Sequence, residues 1–343
     1  MSSTSALRTA DSGVSGAYLI GLAIYLSIIV LTLLLPASPV LAGTLLASRG
    51  SMATGSEVIR FDPQNPISSI NPSILATFAG LGIQGALDIG SHRFFLDARD
   101  FDTSRLVRID TSKTAENVTE TGLATGNPAF SGYQWDEKNQ YVIAVRFGMG
   151  ISGSQVVKID PNTFQVTHVV QFSETGFGST ALDSDGHLFT SLAGQLLIVD
   201  TNTGEVQQTG IRTSWRPCHD EPSPIQSTFH WDKTTHTLLG MRAVFECLAE
   251  RSAPVFPRFA GNELVRLNIA NGQSVVIARI VEGGIGSSAF DPEGQRLYAR
   301  IAGQLFVFDT ATGQVIRTGI SIGDWHTFQW EPGCPSSSCS VTP

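Results

Sequence analysis

The stretch "QLFVFDTATGQVIRTG" at residues 304–319 decides how this chain is read, because the chain writes it twice. Residues 195–210 read "QLLIVDTNTGEVQQTG", 109 positions earlier. Each copy is an apolar strand, an Asp-Thr turn closed by Gly, and a second strand. A turn Asp accepts the N–H groups that follow it, and Gly takes φ > 0 without a Cβ penalty, so each copy is a hairpin. The apolar strand ending in Asp or Asn occurs at "VIRFD" (58–62), "LVRID" (106–110), "VVKID" (156–160), "LLIVD" (196–200), "LVRLN" (264–268) and "LFVFD" (305–309).

A second strand, acidic turn, strand pattern is interleaved with the first. It reads "GALDIGSHRFFLDA" (85–98), "GYQWDEKNQYVIAV" (132–145), "STALDSDGHLFTSL" (179–192), "STFHWDKTTHTLLGM" (227–241) and "SSAFDPEGQRLYAR" (287–300). A sixth copy starts at "HTFQWEPG" (326–333) and stops after one strand. Each unit therefore holds four short strands over about 46 residues. A four-stranded unit repeated at that period is a blade of a β-propeller. The expected fold is all-β and six-bladed, with blades at 85–123, 130–173, 178–211, 226–281 and 285–320. The closing blade is built from 56–81 plus 326–333, so that the two ends of the chain close one ring. A seven-bladed ring is the alternative. It needs a blade hidden in the long fourth unit, whose excess reads as Pro/Cys-rich loop rather than alternating strand.

From Ala17 to Leu35 runs "AYLIGLAIYLSIIVLTLLL", nineteen residues without charge, followed by Pro36 and a small-residue site with Val40 and Ala42 before Gly43. With Arg8 ahead of it, this is the pattern of a signal peptide. The run is also long enough to stay as an uncleaved membrane anchor. Either way the remainder is expected to be secreted or extracytoplasmic, with any membrane attachment only through this segment. The domain reading is 1–42 signal peptide or anchor, 43–55 linker, 56–333 propeller and 334–343 tail. An even cysteine count in an exported chain favours disulfides. Four cysteines allow three pairings; Cys334–Cys339, closing "CPSSSC", and Cys218–Cys247 are the pair favoured by local order. A metal site is the alternative for these thiols, but the chain has no C-x-x-C and no paired His spacing. Asn117-Val118-Thr119 is an N-glycosylation sequon, meaningful in a eukaryotic host.

The net charge of −8 with only 22 basic residues argues against a nucleic-acid surface. The region 56–333 resembles the broad group of six- and seven-bladed extracytoplasmic propellers that includes YVTN-type surface proteins, TolB-like domains and gluconolactonase-type enzymes. The residues carrying the resemblance are the turns "VDTNTG" and "FDTATG" and the hairpins "ALDSDGHLF" and "AFDPEGQRLY". They imply the fold and leave the job open, since propellers host binding modules, hydrolases and lyases.

The repeat removes several tempting residues. Asp110, Asp160, Asp200 and Asp309 share one turn position, so a structural role is expected for all four. His92, His187 and His236 each lie four residues after a turn Asp (Asp88, Asp183, Asp232), where other blades carry Gln140 and Gln295. Equivalent positions are spread around the ring and cannot meet in one site. "DSDG" (183–186) lacks the later ligand of a calcium loop and reads as a turn.

The turns within the repeated hairpins fall on one face of the ring, and the links between hairpins and between blades fall on the other. On this second face lengths vary: "DARDFDTS" (97–104), "RFGMGISGS" (146–154), "RTSWRPCHDEPSPIQ" (212–226) and "RAVFECLAERSAPVFPRFAGN" (242–262), against "AG" at 193–194 and 302–303. Segments that escape a repeat are where function usually resides. The candidate ligand-binding residues are Trp215, Arg216, His219, Asp220, Arg242 and Glu246 around a Cys218–Cys247 staple. Arg99 and Arg146 stand across the pore, and Asp324, Trp325 and His326 enter from the closing blade.

Three functions compete. The first is a binding module for a protein, peptide or glycan, without a cofactor and monomeric. The second is a metal-dependent hydrolase or lactonase, which the gluconolactonase resemblance implies would hold a cation near the axis. The segments entering the inner strands, "GIQG" (82–85), "AFSG" (129–132), "GFGS" (176–179) and "GIGS" (284–287), depart from that by being nearly free of acid. The third is a structural surface protein. No G-x-S-x-G, H-E-x-x-H or phosphate loop is present.

Overall fold

Within the repeats the second strand, reading RFFLDAR, YVIAVRF or HLFTSL, is buried nearly end to end. The fourth alternates, as in VTETGLA and VIRTGIS, and is half exposed. A sheet covered on both faces needs an unbroken apolar run, whereas a sheet edge needs only alternation. The gradient therefore orders the strands from the interior of a ring to its rim. The computed structural model describes residues 43–51, 53–65, 71–100, 103–113, 117–126, 129–148, 151–214, 223–248, 256–323 and 325–333. The N-terminal apolar segment and the Cys334–Cys339 tail lie outside them. The described residues contain no helix long and apolar enough to cross a membrane.

The strands run in chain order as β1 (Thr44–Ser51), β2 (Gly55–Phe61) and β3 (Ser73–Phe78), then four per blade. The first blade has β4 (Leu81–Asp88), β5 (Arg93–Arg99), β6 (Ser104–Asp110) and β7 (Val118–Ala124). The second has β8 (Ala129–Asp136), β9 (Tyr141–Phe147), β10 (Ser154–Ile159) and β11 (Val166–Phe172). The third has β12 (Phe177–Leu182), β13 (His187–Leu192), β14 (Gln195–Asp200) and β15 (Val206–Arg212). The fourth has β16 (Ser227–Asp232), β17 (Thr237–Leu248), β18 (Phe256–Leu267) and β19 (Ser274–Ile280). The fifth has β20 (Ile285–Asp291), β21 (Arg296–Ile301), β22 (Gln304–Asp309) and β23 (Val315–Ser321), and β24 (Trp325–Glu331) ends the ring. Each sheet is antiparallel and four-stranded, and six of them make a six-bladed β-propeller.

Closure differs from the expected form in one strand. The closing sheet has the order β24-β1-β2-β3, so the C-terminal strand is innermost and β1 lies beside it. Leu45 pairs with Trp330 and Ala47 with Phe328. The expected linker over 43–55 is therefore largely a propeller strand. "TLLASRGS" carries no turn Asp of its own and follows closely on the apolar run 17–35, which hid it.

The turns behave as their residues dictate. Asp200 accepts N–H groups from Asn202 (2.7 Å) and Thr203 (3.2 Å), and Asp309 from Thr312 (2.8 Å) and Ala311 (3.0 Å). The Asn202 N–H, ahead of partial burial, holds the Asp200 carboxyl below its usual range. Gly204 and Gly313 close these turns at φ +76° and +77°, where an L side chain is strained.

The repeated sentence marks a unit of two blades. The pair Asp-Thr, followed later by Thr-Gly, occurs in the first, third and fifth blades as Asp110-Thr111 with Thr121-Gly122, Asp200-Thr201 with Thr209-Gly210, and Asp309-Thr310 with Thr318-Gly319. Thr121, Thr209 and Thr318 donate from Oγ1 to Leu106, Leu196 and Leu305 carbonyls at 2.6, 2.7 and 2.8 Å. Phe95, Phe189 and Tyr298, each the third residue of its strand, stack on Trp135, Trp231 and Trp330 of the following blade, with ring centroids 5.9, 4.8 and 5.2 Å apart. Such stacks contribute about 0.5–1.5 kcal/mol each beyond area burial. Between one pair of blades and the next the contact changes character. Gln134 Nε2 donates to Thr180 (3.1 and 3.2 Å), Gln329 Nε2 donates to the Gly85 carbonyl (2.9 Å), and His230 Nε2 meets Ser288 Oγ (2.7 Å). The ring is thus a pseudo-threefold assembly of two-blade modules.

Candidate functional site

The face carrying the links between hairpins holds the largest departure from the repeat. In the third and fifth blades the second and third strands join through Ala193-Gly194 and Ala302-Gly303. In the fourth, β17 and β18 are twelve residues each and stay paired from Leu238↔Leu267 out to Leu248↔Phe256. The expected loop over 242–262 is therefore mostly an extended hairpin. Pro257 and Cys247, paired across it, lie beyond the blade, where a two-stranded ribbon tolerates them. Phe245 and Phe259 cross edge to face at 5.5 Å, and Phe259 and nearby Val281 are exposed. Glu246 and Arg258 are cross-strand partners on the same ribbon, both exposed.

Several candidate side chains are committed to structure. Arg242 is closed on Glu263 (2.7 Å), which also holds Arg279 (2.7 Å). Arg146 lies along Gln155 (3.1 Å from Nε) and over the Phe130 ring at 5.9 Å. Arg99 donates to Ser104 (3.1 Å) and approaches Asp97 (3.5 Å). Trp325 is a core residue packed on Phe61 at 4.8 Å, a correction to its expected place at the pore, because β24 turns its face into the closing blade. His326, half-buried, lies 3.3 Å from the Gly50 carbonyl. Glu246 is the one described candidate on an exposed surface without such an engagement. Trp215, Arg216, Cys218, His219, Asp220 and Asp324 lie outside the described residues, as do Cys334 and Cys339. Cys247 is disulfide-bonded, with its partner outside the described residues.

His187 is not equivalent to His92 and His236. The third blade's turn is one residue shorter, so Gly186 takes the left-handed position (φ +92°) that His92 and His236 occupy in theirs (φ +53° and +52°). His187 instead opens β13, and its Nδ1 meets Asp183 at 2.9 Å as Arg93 meets Asp88 at 2.6 Å. Asp183, Asp185 and His187 form the sole cluster of metal-binding groups among the described residues, and the Asp183 carboxylate also takes the turn's N–H groups. Asn117 is buried and donates from Nδ2 to the Leu75 and Lys113 carbonyls, which leaves the sequon side chain no room for a glycan.

Two polar groups, buried Asp97 and half-buried His230, escaped the sequence reading. Asp97 sits on β5 where the third blade has Ser191; burial pushes its carboxyl up to about 6, against a bond from Thr125 and the Arg99 charge. Ser191 makes the matching bond to Thr213 at 2.5 Å, so the position rather than the acid belongs to the repeat. His230 lines the axis, and burial holds its imidazole down to about 4.

The axial cavity has a volume of about 620 Å³ and is lined by the six inner strands. Its described lining contains no Asp, Glu, Lys or Arg; it is Ser, Thr, Gln, Gly and aromatic residues with His230, Ile83 and Ala289. A second space of about 320 Å³, at the hairpin-turn end, shares Gln134, Phe229, His230, Phe290 and Trp330 with it.

Fold and site together define a six-bladed propeller with an extended hairpin on its fourth blade and an axial cavity whose described lining carries no charge. No family model matches the sequence, and no curated protein matches it. Solved structures do resemble the chain. TolB from Acinetobacter baumannii aligns over 95% of this chain and 74% of its own, with a TM-score of 0.58 and 11% identity. A chain of the nidogen/laminin complex aligns over 85% of this chain and 100% of its own, with a TM-score of 0.59 and 9% identity. The periplasmic gluconolactonase PpgL of Pseudomonas aeruginosa aligns over 85% and 99%, with a TM-score of 0.50 and 13% identity. At these identities the likeness is one of fold.

Proposed function

We propose that the chain is an extracytoplasmic binding module that takes a protein partner on its link-bearing face, with the β17–β18 hairpin as the principal contact. The observation that carries this reading is the hairpin. Where the third and fifth blades turn in two residues, the fourth extends a paired ribbon bearing exposed Phe259. Aromatic anchors flanked by charge concentrate binding energy, and Glu246 and Arg258 flank this one. The reading includes a Cys218–Cys247 bond that fastens the 213–226 link to the ribbon, so that less order is lost on binding. The likeness to TolB and to a chain of the nidogen/laminin complex supports a protein partner over a glycan. The apolar run 17–35 and the site before Gly43 support export.

A photo-crosslinking residue at position 259 tests the reading, with position 275 on the outer strand β19 as control. Position 275 is exposed but at the other end of the sheet. One discrete adduct from the extracytoplasmic fraction at 259, absent at 275, is expected. Identical adducts at both positions would count against it. The gluconolactonase likeness favours a second reading, a lactonase. The acid-free axial lining speaks against the cation that such a reading implies.

A further inference from the structure

We infer that the axial cavity is a second binding site, for an uncharged hydroxyl-rich small molecule of saccharide size, read by the ring of Gln134, His230 and Gln329 around the axis. The pseudo-threefold ring states what folding alone asks of each inner position; the inner strand of the fourth blade departs from it at one residue and holds a second, a Thr as in the closing blade, in a strained backbone. Ala86, Ala181 and Ala289 alternate around the axis with Gln134, His230 and Gln329, two residues before each turn acid. A Gln at the fourth blade would serve the junction as it does at the other two, yet His stands there. Two residues earlier, the second blade meets its bulge with Gly132 at φ +61°, whereas the fourth uses Thr228 at φ +54°. A β-branched residue in that region is strained by about 1–2 kcal/mol, and such strain collects at functional sites. Thr228 and His230 both line the cavity.

The chemistry of the wall sets the ligand class. Gln134 and Gln329 donate from Nε2, so by equivalence His230 donates from Nε2 to Ser288 and keeps Nδ1 as an acceptor. The Oε1 atoms of Gln134 and Gln329 accept no hydrogen bond among the described residues. Three acceptors thus stand at one level of the axis, with the hydroxyls of Ser287 and Thr327 at the next. Burial keeps the imidazole neutral above about pH 4. A charged ligand would lose its hydration with no counter-charge in the described lining, whereas a polyol exchanges water for matched donors and acceptors. The volume of about 620 Å³ is that of a small-molecule site.

The test is saturation-transfer NMR on the folded, exported chain. The probes are glucose, galactose, mannose, N-acetylglucosamine and maltose, with gluconate and putrescine as charged controls. At least one neutral saccharide is expected to bind, and Ser287→Phe, which fills the cavity, to abolish it. His230→Gln restores the threefold residue and is expected to keep the melting temperature while weakening binding about tenfold. Thr228→Gly relieves the strain and is expected to raise the melting temperature while also weakening binding. The inference falls if no saccharide binds, if binding survives Ser287→Phe, if a charged control binds in preference, or if both inner-strand variants bind as the parent does.

Discussion

The fifth blade and the fourth are neighbours, the fifth opening one two-blade module and the fourth closing the module before it, and on the link-bearing face they part at one place. The fifth turns from β21 to β22 through Ala302-Gly303; the fourth carries β17 and β18 out past the ring by the extra length of two twelve-residue strands. The register shows where they part company. Ile301↔Gln304 in the fifth corresponds to Arg242↔Glu263 in the fourth, and every pair beyond that has no counterpart. Inside the shared register, residue choice follows from packing and turns. Farther out, past buried Asn262 and its bond to the Glu282 carbonyl, the ring makes no demand on exposed Phe259 and Glu246, which need another reason to be there.

The largest effect expected is on the shared side of that boundary. Trp330 is buried and stacks on Tyr298 within 5.2 Å. Trp330→Ala should cost about 3–5 kcal/mol in urea unfolding, while Phe259→Ala should stay within about 0.5 kcal/mol. A large cost at Phe259 would break the comparison.

Next in size is a pH effect of opposite sign at Asp97 and His230. Asp97 is raised from 3.8 to about 6, so the folded chain keeps a proton that the unfolded chain releases between those values. Its contribution is full below 3.8 and lost as pH rises through about 6. Asp97→Asn should therefore stabilise near neutral pH by at most about 3 kcal/mol and have little effect at low pH. His230 is lowered from 6.5 to about 4, so its contribution is present above 6.5 and lost as pH falls toward 4. His230→Gln should flatten that acid limb, as melting curves from pH 3.5 to 8 would report.

Smaller is the effect at the blocked sequon. Asn117→Ala leaves the Leu75 and Lys113 carbonyls short of a donor and should cost about 1–3 kcal/mol. Chain secreted from a eukaryotic host should carry no glycan at Asn117 by mass spectrometry. Smallest in global stability is Cys218→Ser. It should leave the melting temperature near that of the parent while limited proteolysis speeds up within 213–226 and 243–262. A cooperative loss of the whole ring would contradict a local role for that bond.

The blades were legible in the sequence because each hairpin writes its own turn Asp beside an apolar run. β1 was not, since its inner partner β24 comes from the far end of the chain and its turn into β2 carries no Asp. The fourth blade's ribbon was hidden because Pro257 and Cys247 read as loop, although β17 and β18 pair beyond the blade. The engagement of Arg242 with Glu263 rests on a cross-strand register that spacing alone does not reveal. His230 was passed over because the histidines at turns drew attention, while its own neighbour in space, Ser288, is 58 residues away. The alternation of Ala with Gln or His around the axis becomes visible only once the inner strands are aligned on their turn acids.

The measurement that tests the central claim most directly pairs stability with recognition in one trimmed chain. Residues 243–262 are replaced by Ala-Gly, with Cys218→Ser, so that the fourth blade turns as the third and fifth do and Arg242 still meets Glu263. The account predicts an intact propeller, with a melting temperature within a few degrees of the parent, that no longer forms the partner adduct. An unfolded ring, or an intact one that still captures the partner, would contradict it.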